Sequence, residues 1–377
     1  MTSISTVLPT YATVNLAAFA HNLSQIKRYL SPGCDVMAVV KANAYGHGAV
    51  ETAHALTRQG IGRFAVASLE EGIALRQAGL SGSIVVLGAL FEEQLSDLRA
   101  HQLTPVISDG RILPSLAKAI RSHPGPYLIH LKVETGMGRL GFSPEELLSL
   151  LNDPIIRNPL QVEGIMTHLA DADGADNAFT ERQLDVFRAM LEQVQQRGFT
   201  VPLLHAANSA AIVRFPEAHF SLVRPGIMLY GYHTLPASIL APDLKPVLSL
   251  RTTIVQLRTI PRGGTVSYNG TFVAKRPTRI AVLPIGYADG YSRRLSHRGS
   301  VLIQGRRAPI VGLVCMDMIM VDVTDLASVQ VGEIATLIGQ QGQESIWADE
   351  VAGWIGTIPY EVLCGIGSRV PRLYESA

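Results

Sequence analysis

The feature that most constrains the fold is an eightfold alternation of short apolar runs with helical patterns between about residues 36 and 232. The runs are "DVMAVV", "RFAVAS", "SIVVLGA", "LTPVIS", "YLIHLKV", "VEGIMTH", "PLLHAAN" and "FSLVRPGIMLYG". Intervening segments such as "ERQLDVFRAMLEQVQQRG" repeat apolar residues with the spacing of an amphipathic helix. Runs that are apolar throughout are typical of parallel strands covered on both faces. The pattern favours a (β/α)8 barrel of the TIM type, with a doubly wound open sheet as the alternative.

The pattern changes after about residue 232. The segment "HTLPASILAPDLKP" has three prolines and no periodicity, which is typical of a linker. Beyond it, short runs rich in Val, Ile and Thr are separated by Gly and Pro turns, which predicts a smaller, mostly β domain. We therefore predict a barrel over residues 11–240 and a β-rich C-terminal domain over residues 241–377, with which the residues before the barrel are expected to pack.

One helix start can be predicted in detail from the segment "FSPEELLSLL". Ser143 is a suitable N-cap, Pro144 suits the first helical position, and Glu146 completes a capping box. The preceding "ETGMGRLG" therefore belongs to the loop between the fifth apolar run and its helix.

Composition excludes several classes of protein. The formal net charge is +1 and the basic residues are scattered, so neither nucleic acid nor an anionic membrane is expected as a partner. No apolar run approaches the roughly 20 residues of a membrane-spanning helix, and the first residues do not resemble an export signal. Three widely spaced cysteines indicate neither a disulfide framework nor a metal site. We expect a cytoplasmic location.

In barrels of this kind the active site lies at the carboxyl ends of the strands. The side chains expected there are Lys41 and Tyr45 after the first run, Lys132 and Arg139 after the fifth, His168 after the sixth, His205, Asn208 and Ser209 after the seventh, and Arg224, Gly226 and Ile227 after the eighth. The many basic groups in this set indicate an anionic ligand.

Two of these features together indicate a particular cofactor. The loops after the last two strands of such barrels often bind a phosphate through backbone N–H groups, and Ser209 and Gly226 lie in those loops. A partly desolvated lysine such as Lys41 can form an imine. This combination suggests pyridoxal phosphate, although an imine-forming aldolase acting on a phosphorylated sugar explains it equally well.

Eight segments, in chain order from about residue 11 to residue 374, resemble segments of the alanine racemase family. They are "VVKANAYGHG", "KVETGMGRLGF", "THLADAD", "HAANSAA", "VRPGIMLYG", "PIGYADGY", "VCMDMIMVDVTD" and "IPYEVLCGIGSRVPRLY". The resemblance implies an isomerase that uses pyridoxal phosphate to interconvert L-alanine and D-alanine and that supplies D-alanine for peptidoglycan synthesis.

The resemblance also implies a role for each matching residue. Lys41 would hold the cofactor, Arg224 would face its pyridine nitrogen, and Tyr287 would be the second acid/base group. The other cofactor contacts would come from Tyr45, His168, Asn208, Ser209, Gly226, Ile227 and Tyr360. The substrate carboxylate would be bound by Arg139 and Met316. Supporting residues would be His205, Asp317 and Lys132, a lysine that is often carbamylated in the family.

Racemisation requires a proton to leave one face of the α-carbon and another to arrive at the opposite face. The resemblance implies that Lys41 serves the D-face and Tyr287 the L-face, with Tyr287 and Met316 contributed across the interface of a homodimer. Because a phenol ordinarily loses its proton near pH ~10, a cationic or hydrogen-bonding neighbour is needed, and we expect His168 to be that neighbour. His205 is expected to hold Arg224 in place.

Other functions remain open on the sequence alone. A racemase of the same architecture acting on serine, lysine or arginine is the nearest alternative, since rejecting one methylene is worth only roughly 1–3 kcal/mol. A basic amino-acid decarboxylase on a related barrel fits less well. A non-catalytic binder of pyridoxal phosphate would not need the β-rich domain that carries "PIGYADGY".

Overall fold

The computed structural model describes residues 8–120 and 126–375. The chain divides into two compact units. The first, here called the barrel unit, comprises Phe19–Ala44 and Ala49–Leu244. The second, called the β-rich unit, comprises the described residues up to Ala18, the segment Tyr45–Gly48 and the chain from Lys245 onward. The boundary after Leu244 lies close to the one drawn from the sequence, after residue 240.

The strands are numbered along the chain, and β1 (Thr10–Asn15) belongs to the β-rich unit. The eight strands of the barrel unit coincide with the eight apolar runs. They are β2 (Asp35–Val39), β3 (Arg63–Val66), β4 (Ser83–Val86), β5 (Thr104–Ile107), β6 (Tyr127–Lys132), β7 (Leu160–Met166), β8 (Leu203–His205) and β9 (Leu222–Val223).

These eight strands form one parallel sheet in the order β8-β7-β6-β5-β4-β3-β2-β9. The first and last strands of that order also approach each other, because Ser221 N–H donates to Leu204 O at 3.2 Å and Arg224 N–H donates to Ala207 O at 3.0 Å. The sheet is therefore a nearly closed barrel, which confirms the predicted TIM-type fold against the open-sheet alternative.

Helices connect successive barrel strands. The connecting helices are α2 (Ala49–Arg58), α3 (Leu69–Gln77), α4 (Leu95–Ala100), α5 (Leu113–Ile120), α6 (Pro144–Leu150), α7 (Ala178–Gln196) and α8 (Ser209–Arg214), whereas α1 (Leu16–Lys27) precedes the first barrel strand, β2. The predicted capping box at the start of α6 is confirmed: Ser143 Oγ accepts from Glu146 N–H at 3.1 Å, and Glu146 Oε2 accepts from Ser143 N–H at 2.8 Å. Among the described residues, no helix combines the length and the apolar character needed to span a bilayer.

The β-rich unit contains the remaining strands and two helices. The strands are β10 (Leu248–Thr253), β11 (Gln256–Ile260), β12 (Thr265–Val266), β13 (Phe272–Val273), β14 (Thr278–Leu283), β15 (Ser300–Ile303), β16 (Arg306–Pro309), β17 (Ile319–Asp322), β18 (Ile334–Gln341), β19 (Glu344–Ile346) and β20 (Arg372–Glu375). The helices are α9 (Ala348–Ile355) and α10 (Pro359–Gly365).

The largest sheet of this unit runs β16-β15-β18-β10-β1-β20, with β19 paired to β18, and a separate three-stranded sheet runs β11-β14-β17. β1 pairs antiparallel with β10 and parallel with β20. The first strand of the chain is therefore part of this sheet, whereas the sequence-based division began the barrel at residue 11. Residues 1–7, also expected to pack here, lie outside the described part of the chain.

Candidate active site

Lys41 follows the buried strand β2 and begins an unusual turn. The next four residues, Ala42 to Tyr45, all have positive φ angles of 52–53°. For a residue with a Cβ atom this left-handed conformation costs roughly 1–2 kcal/mol. Backbone strain of this kind persists only where the surrounding structure enforces it, and it is concentrated at functional sites. The strained turn therefore indicates that the segment after β2 belongs to a functional site.

Glu71 on α3 holds this turn, a role that the sequence analysis missed. One carboxylate oxygen, Oε1, accepts from Ala42 N–H at 2.6 Å, and Oε2 accepts from Ala67 N–H at 2.8 Å. Glu71 thus joins the segments that follow β2 and β3. Asn43 adds a second support, because its Oδ1 accepts from Ala49 N–H at 2.9 Å. The spacing Ser68-x-x-Glu71 was a usable signal, although here the carboxylate binds neighbouring strands rather than the N-cap.

Five basic side chains lie within electrostatic range of one another at the carboxyl ends of the barrel strands. Burial, together with the charges of Arg139, Arg224 and Lys41, lowers the pKa of Lys132 to about 8. Burial and these same neighbours, together with Lys132, lower the pKa of His168 to about 3. The barrel therefore brings together Lys41, Lys132, Arg139, His168 and Arg224, as the strand order requires.

These values modify one expectation for His168. With a pKa of about 3 the imidazole is neutral near pH 7, so it cannot act on a phenol as a cation. Of the two roles the sequence left open, only hydrogen bonding is available. The ring lies beside Arg224, since the guanidinium Nη2 is 3.4 Å from His168 Nδ1.

Arg224 is 4% exposed and is fixed by several acceptors. Its Nη1 donates to His205 Nδ1 at 2.9 Å, and its Nη2 donates to the carbonyls of Thr167 at 2.8 Å and Ala206 at 3.0 Å. Burial lowers the pKa of Arg224 to about 9. These contacts leave Nε–H, which donates to none of the described residues. The sequence predicts the contact with His205 but not those with the two carbonyls, because backbone acceptors carry no sequence signal.

The loops after β8 and β9 meet at Ser209. Its Oγ accepts from Gly226 N–H at 3.0 Å and from Met228 N–H at 3.4 Å. Asn208 precedes it as the N-cap of α8 and accepts from Ala211 N–H at 3.0 Å. Ile227, next to Gly226, opens a short 3₁₀ turn and is fully buried. The four residues predicted to bind a phosphate are thus neighbours.

In the β-rich unit, Tyr287 and Met316 lie on two segments joined by backbone hydrogen bonds. Tyr287 N–H donates to Cys315 O and Ala288 N–H donates to Met316 O, both at 3.0 Å. Gly286 permits this contact, since a Cβ atom there would lie 2.3 Å from both carbonyl oxygens. Tyr287 is 43% exposed and Met316 is 53% exposed, so two large apolar side chains share an open surface.

Tyr45, Tyr360 and Asp317, the other predicted site residues of this unit, make two further contacts. The rings of Tyr45 and Tyr360 are 5.8 Å apart between centroids, on the segment after Lys41 and on α10. Asp317 Oδ1 accepts from Arg369 Nη2 at 2.9 Å, which fixes the turn that follows Met316.

Comparison with known proteins identifies the family. The description "Alanine racemase, N-terminal domain" matches residues 14–234, and "Alanine racemase, C-terminal domain" matches residues 247–374. The alanine racemase of Carboxydothermus hydrogenoformans is 46% identical over 367 residues, which cover 97% of this chain and 99% of that protein. That of Halothermothrix orenii is 43% identical over 368 residues, with 98% and 97% covered.

Solved structures agree with these relatives. An alanine racemase from Clostridium difficile 630 superposes with a TM-score of 0.93 at 32% identity, covering 99% of this chain and 97% of that one. The alanine racemase from Bacillus anthracis with bound L-Ala-P superposes with a TM-score of 0.91 at 35% identity, covering 97% and 95%. The fold, the two matched domains and these likenesses show that the chain belongs to the alanine racemase family.

Proposed function

We propose that this member of the family racemises alanine with pyridoxal phosphate held at Lys41, as a homodimer in the cytoplasm, and that it supplies D-alanine for peptidoglycan. The observation that carries the proposal is the convergence of five basic side chains, including Lys41, at the carboxyl end of the barrel. The reduced thiols of Cys34 and Cys315 are compatible with a cytoplasmic location.

The donor groups of the barrel unit fit this cofactor. Ser209 Oγ already accepts two N–H groups, so its own hydroxyl proton remains available for a phosphate oxygen. The free Nε–H of buried Arg224 suits a ring nitrogen that carries no proton, because a guanidinium can only donate. Lys41 supplies the amine that an aldehyde requires. Asn208, Gly226 and Ile227 complete the phosphate site of the barrel unit. Tyr45 and Tyr360, whose rings pack together in the β-rich unit, are proposed as further cofactor contacts.

When bound, pyridoxal phosphate acidifies the α-hydrogen of an amino acid by accepting charge from the α-carbon. The residues of the chain must then bind the substrate and move protons. We assign Lys41 and Tyr287 as the two acid/base groups on opposite faces, and Arg139 and Met316 as the groups that bind the substrate carboxylate. His168 acts as a neutral hydrogen-bonding neighbour.

Tyr287 and Met316 are proposed to act across the dimer interface. Their exposure and their shared backbone contacts support this assignment, because two large side chains on an open surface are available to another subunit. Asp317 supports the turn after Met316 through its ion pair with Arg369. Lys132, whose pKa is lowered to about 8, is neutral often enough to react with carbon dioxide, and a carbamate there would place a negative charge beside Arg139.

Borohydride reduction followed by peptide mapping tests the proposal. Reduction of the purified protein should fix a pyridoxyl group on the peptide that contains Lys41, and L-alanine should lose its optical rotation before treatment but not after it. Lys132→Arg is the matched control, since it removes the buried lysine of the cluster and should leave the label on Lys41. A label on another peptide, or none after adding cofactor, would refute the assignment.

A further inference from the structure

We infer that Glu163, a residue with no role in the site described above, positions Arg224 through a directed chain of hydrogen bonds that runs across His205 and His130. The inference rests on the proposed function only in treating Arg224 as the group that faces the cofactor. The chain of hydrogen bonds itself follows from the geometry of the barrel unit.

The contacts form one continuous series. Arg224 Nη1 is 2.9 Å from His205 Nδ1, and His205 Nε2 is 2.9 Å from His130 Nδ1. His130 Nε2 is 3.2 Å from Glu163 Oε2. Both histidines are fully buried, whereas the side chain of Glu163 is 19% exposed. The series therefore connects a buried cation to a carboxylate at its partly solvated end.

The direction of every bond is determined by Arg224, because a guanidinium can donate but not accept. His205 Nδ1 must then carry a lone pair, so the proton of the neutral ring is on Nε2 and is donated to His130 Nδ1. His130 in turn carries its proton on Nε2 and donates it to Glu163. Only an acceptor at the end of the series completes it, and a carboxylate is an acceptor-only group.

The protonation states of His205 and Glu163 agree with this direction. Burial, together with the charge of Arg224, lowers the pKa of His205 well below its ordinary value, so its ring is neutral. The hydrogen bond from His130 lowers the pKa of Glu163, which keeps the carboxylate ionised. The charge of Arg63, which also pairs with Asp35, lowers the pKa of Glu163 further.

The backbone of β7 is shaped to make this series. Ile129 on β6 pairs with Val162, but His130 pairs with Gly164, so Glu163 is an extra residue in β7. Such a bulge redirects a side chain. Gly164 is required opposite the imidazole, since a Cβ atom there would lie 2.5 Å from His130 Nδ1. Two local departures from a regular strand thus serve the same contact.

The consequence is a preorganised Arg224. A buried imidazole whose tautomer is fixed accepts from Nη1 in one geometry only, and this keeps Nε–H directed at its ligand. Without the carboxylate, the proton on His130 Nε2 lacks its acceptor and the alternative tautomer becomes competitive. In the alternative tautomer of His205 the proton lies on Nδ1 and faces the N–H donor of Arg224. Glu163 therefore affects the cofactor site without contacting it.

Histidine side-chain ¹H–¹⁵N correlation spectra of the purified protein test this inference, because they distinguish the two neutral tautomers from the protonated ring. We expect His130 and His205 to carry their protons on Nε2 in the wild type and in Glu163→Gln, which keeps an acceptor oxygen. In Glu163→Leu we expect mixed tautomers, together with a roughly tenfold lower kcat at a KM within about twofold of wild type. Asp35→Asn is the control, since it changes the charge beside Arg63 but not the series.

Each outcome shows whether Glu163 orients the hydrogen bonds of His130 and His205 or only packs against them. An Nδ1 proton or a protonated ring at either histidine of the wild type would overturn the inference, as would Glu163→Leu with unchanged tautomers and a merely lower melting temperature. If Glu163→Leu does not fold, the wild-type and Glu163→Gln spectra still decide. A wild type that shows the expected tautomers but binds no pyridoxal phosphate would refute the proposed function and leave the hydrogen-bond series intact.

Discussion

At the scale of single residues, Lys132 shows what the barrel does to a charged group. Its side chain is 5% exposed, and several cations surround it. Burial and like charge both disfavour the ammonium form, which is why its pKa falls to about 8 from an ordinary value of 10.5. The folded state therefore tolerates neutral Lys132 better than charged Lys132.

This has a measurable consequence for stability against pH. Below pH 8 the amine is protonated in both states and the folded protein is penalised by a constant amount. Between pH 8 and 10.5 the unfolded chain binds more protons, so stability rises with pH by up to about 3 kcal/mol. We expect the difference in the free energy of unfolding between wild type and Lys132→Met to change by that amount, measured with urea in carbonate-free buffer.

The comparison between the two proteins isolates Lys132 from the other groups that titrate in this range. Curves that stay parallel from pH 7 to 11 would show that the pKa of Lys132 is not depressed, or that a carbamate has replaced the amine. Adding ¹³C-labelled bicarbonate to the wild type distinguishes these two explanations, because only the second gives a carbamate signal in the ¹³C spectrum of the folded protein.

The positions of site residues could be predicted from the sequence where a side chain follows a strand directly. Lys41, His168 and Arg224 come together because parallel strands end at one edge of a barrel. Glu71 and Glu163 were missed for a physical reason. Their contacts with Ala42 and His130, 29 and 33 positions away, depend on the sheet register, and the local spacing Ser68-x-x-Glu71 predicts only a capping box.

At the scale of elements, the left-handed turn after β2 is the clearest case of structure imposed against local preference. Four successive residues with positive φ are unfavourable for a chain without glycine. Glu71 accepts one hydrogen bond from the turn itself, at Ala42 N–H, and one from Ala67 N–H after β3. A bond to a charged acceptor contributes roughly 1.5–3 kcal/mol, so the bond to Ala42 offsets part of that cost.

Replacing Glu71 should therefore release the turn. In Glu71→Gln one acceptor oxygen becomes an NH₂ group that faces a backbone N–H, so we expect a loss of roughly 2 kcal/mol in unfolding free energy and weaker retention of pyridoxal phosphate. Urea unfolding and cofactor absorbance after dialysis measure both. Glu70→Gln is the matched control, because Glu70 is an exposed neighbour on α3 whose side chain accepts from Gln94 and Ser68 rather than from the turn. Equal behaviour of the two variants would contradict a role for Glu71 in holding the turn.

Helices and strands could be predicted where a local pattern of apolar or capping residues marks them. The eight barrel strands are apolar runs, and the start of α6 carries its capping residues in four positions. β1 is different, because its partners are β10 and β20, more than 200 residues away. A six-residue strand shows which of its side chains are apolar but not which sheet it joins.

At the scale of the whole molecule, the chain joins two units of different design. The barrel unit concentrates basic side chains at one end, and the β-rich unit presents Tyr287 and Met316 on an open surface. Neither unit contains both proposed acid/base groups, because Lys41 belongs to the barrel unit and Tyr287 to the β-rich unit. Sequence patterns predicted the two units but contain no information on which subunit completes which site, since an interface has no local period.

Mixed dimers answer that question. If each site combines Lys41 of one subunit with Tyr287 of the other, Lys41→Ala and Tyr287→Phe homodimers are both inactive. A hybrid of the two then has one site with both substitutions and one site with neither. Random mixing makes half of the dimers hybrids, so refolding or co-expressing equal amounts should recover about a quarter of wild-type racemisation. Activity that stays at the level of the separate variants would show that both groups come from one subunit, and a Lys41→Ala, Tyr287→Phe double variant mixed with wild type provides the matched control.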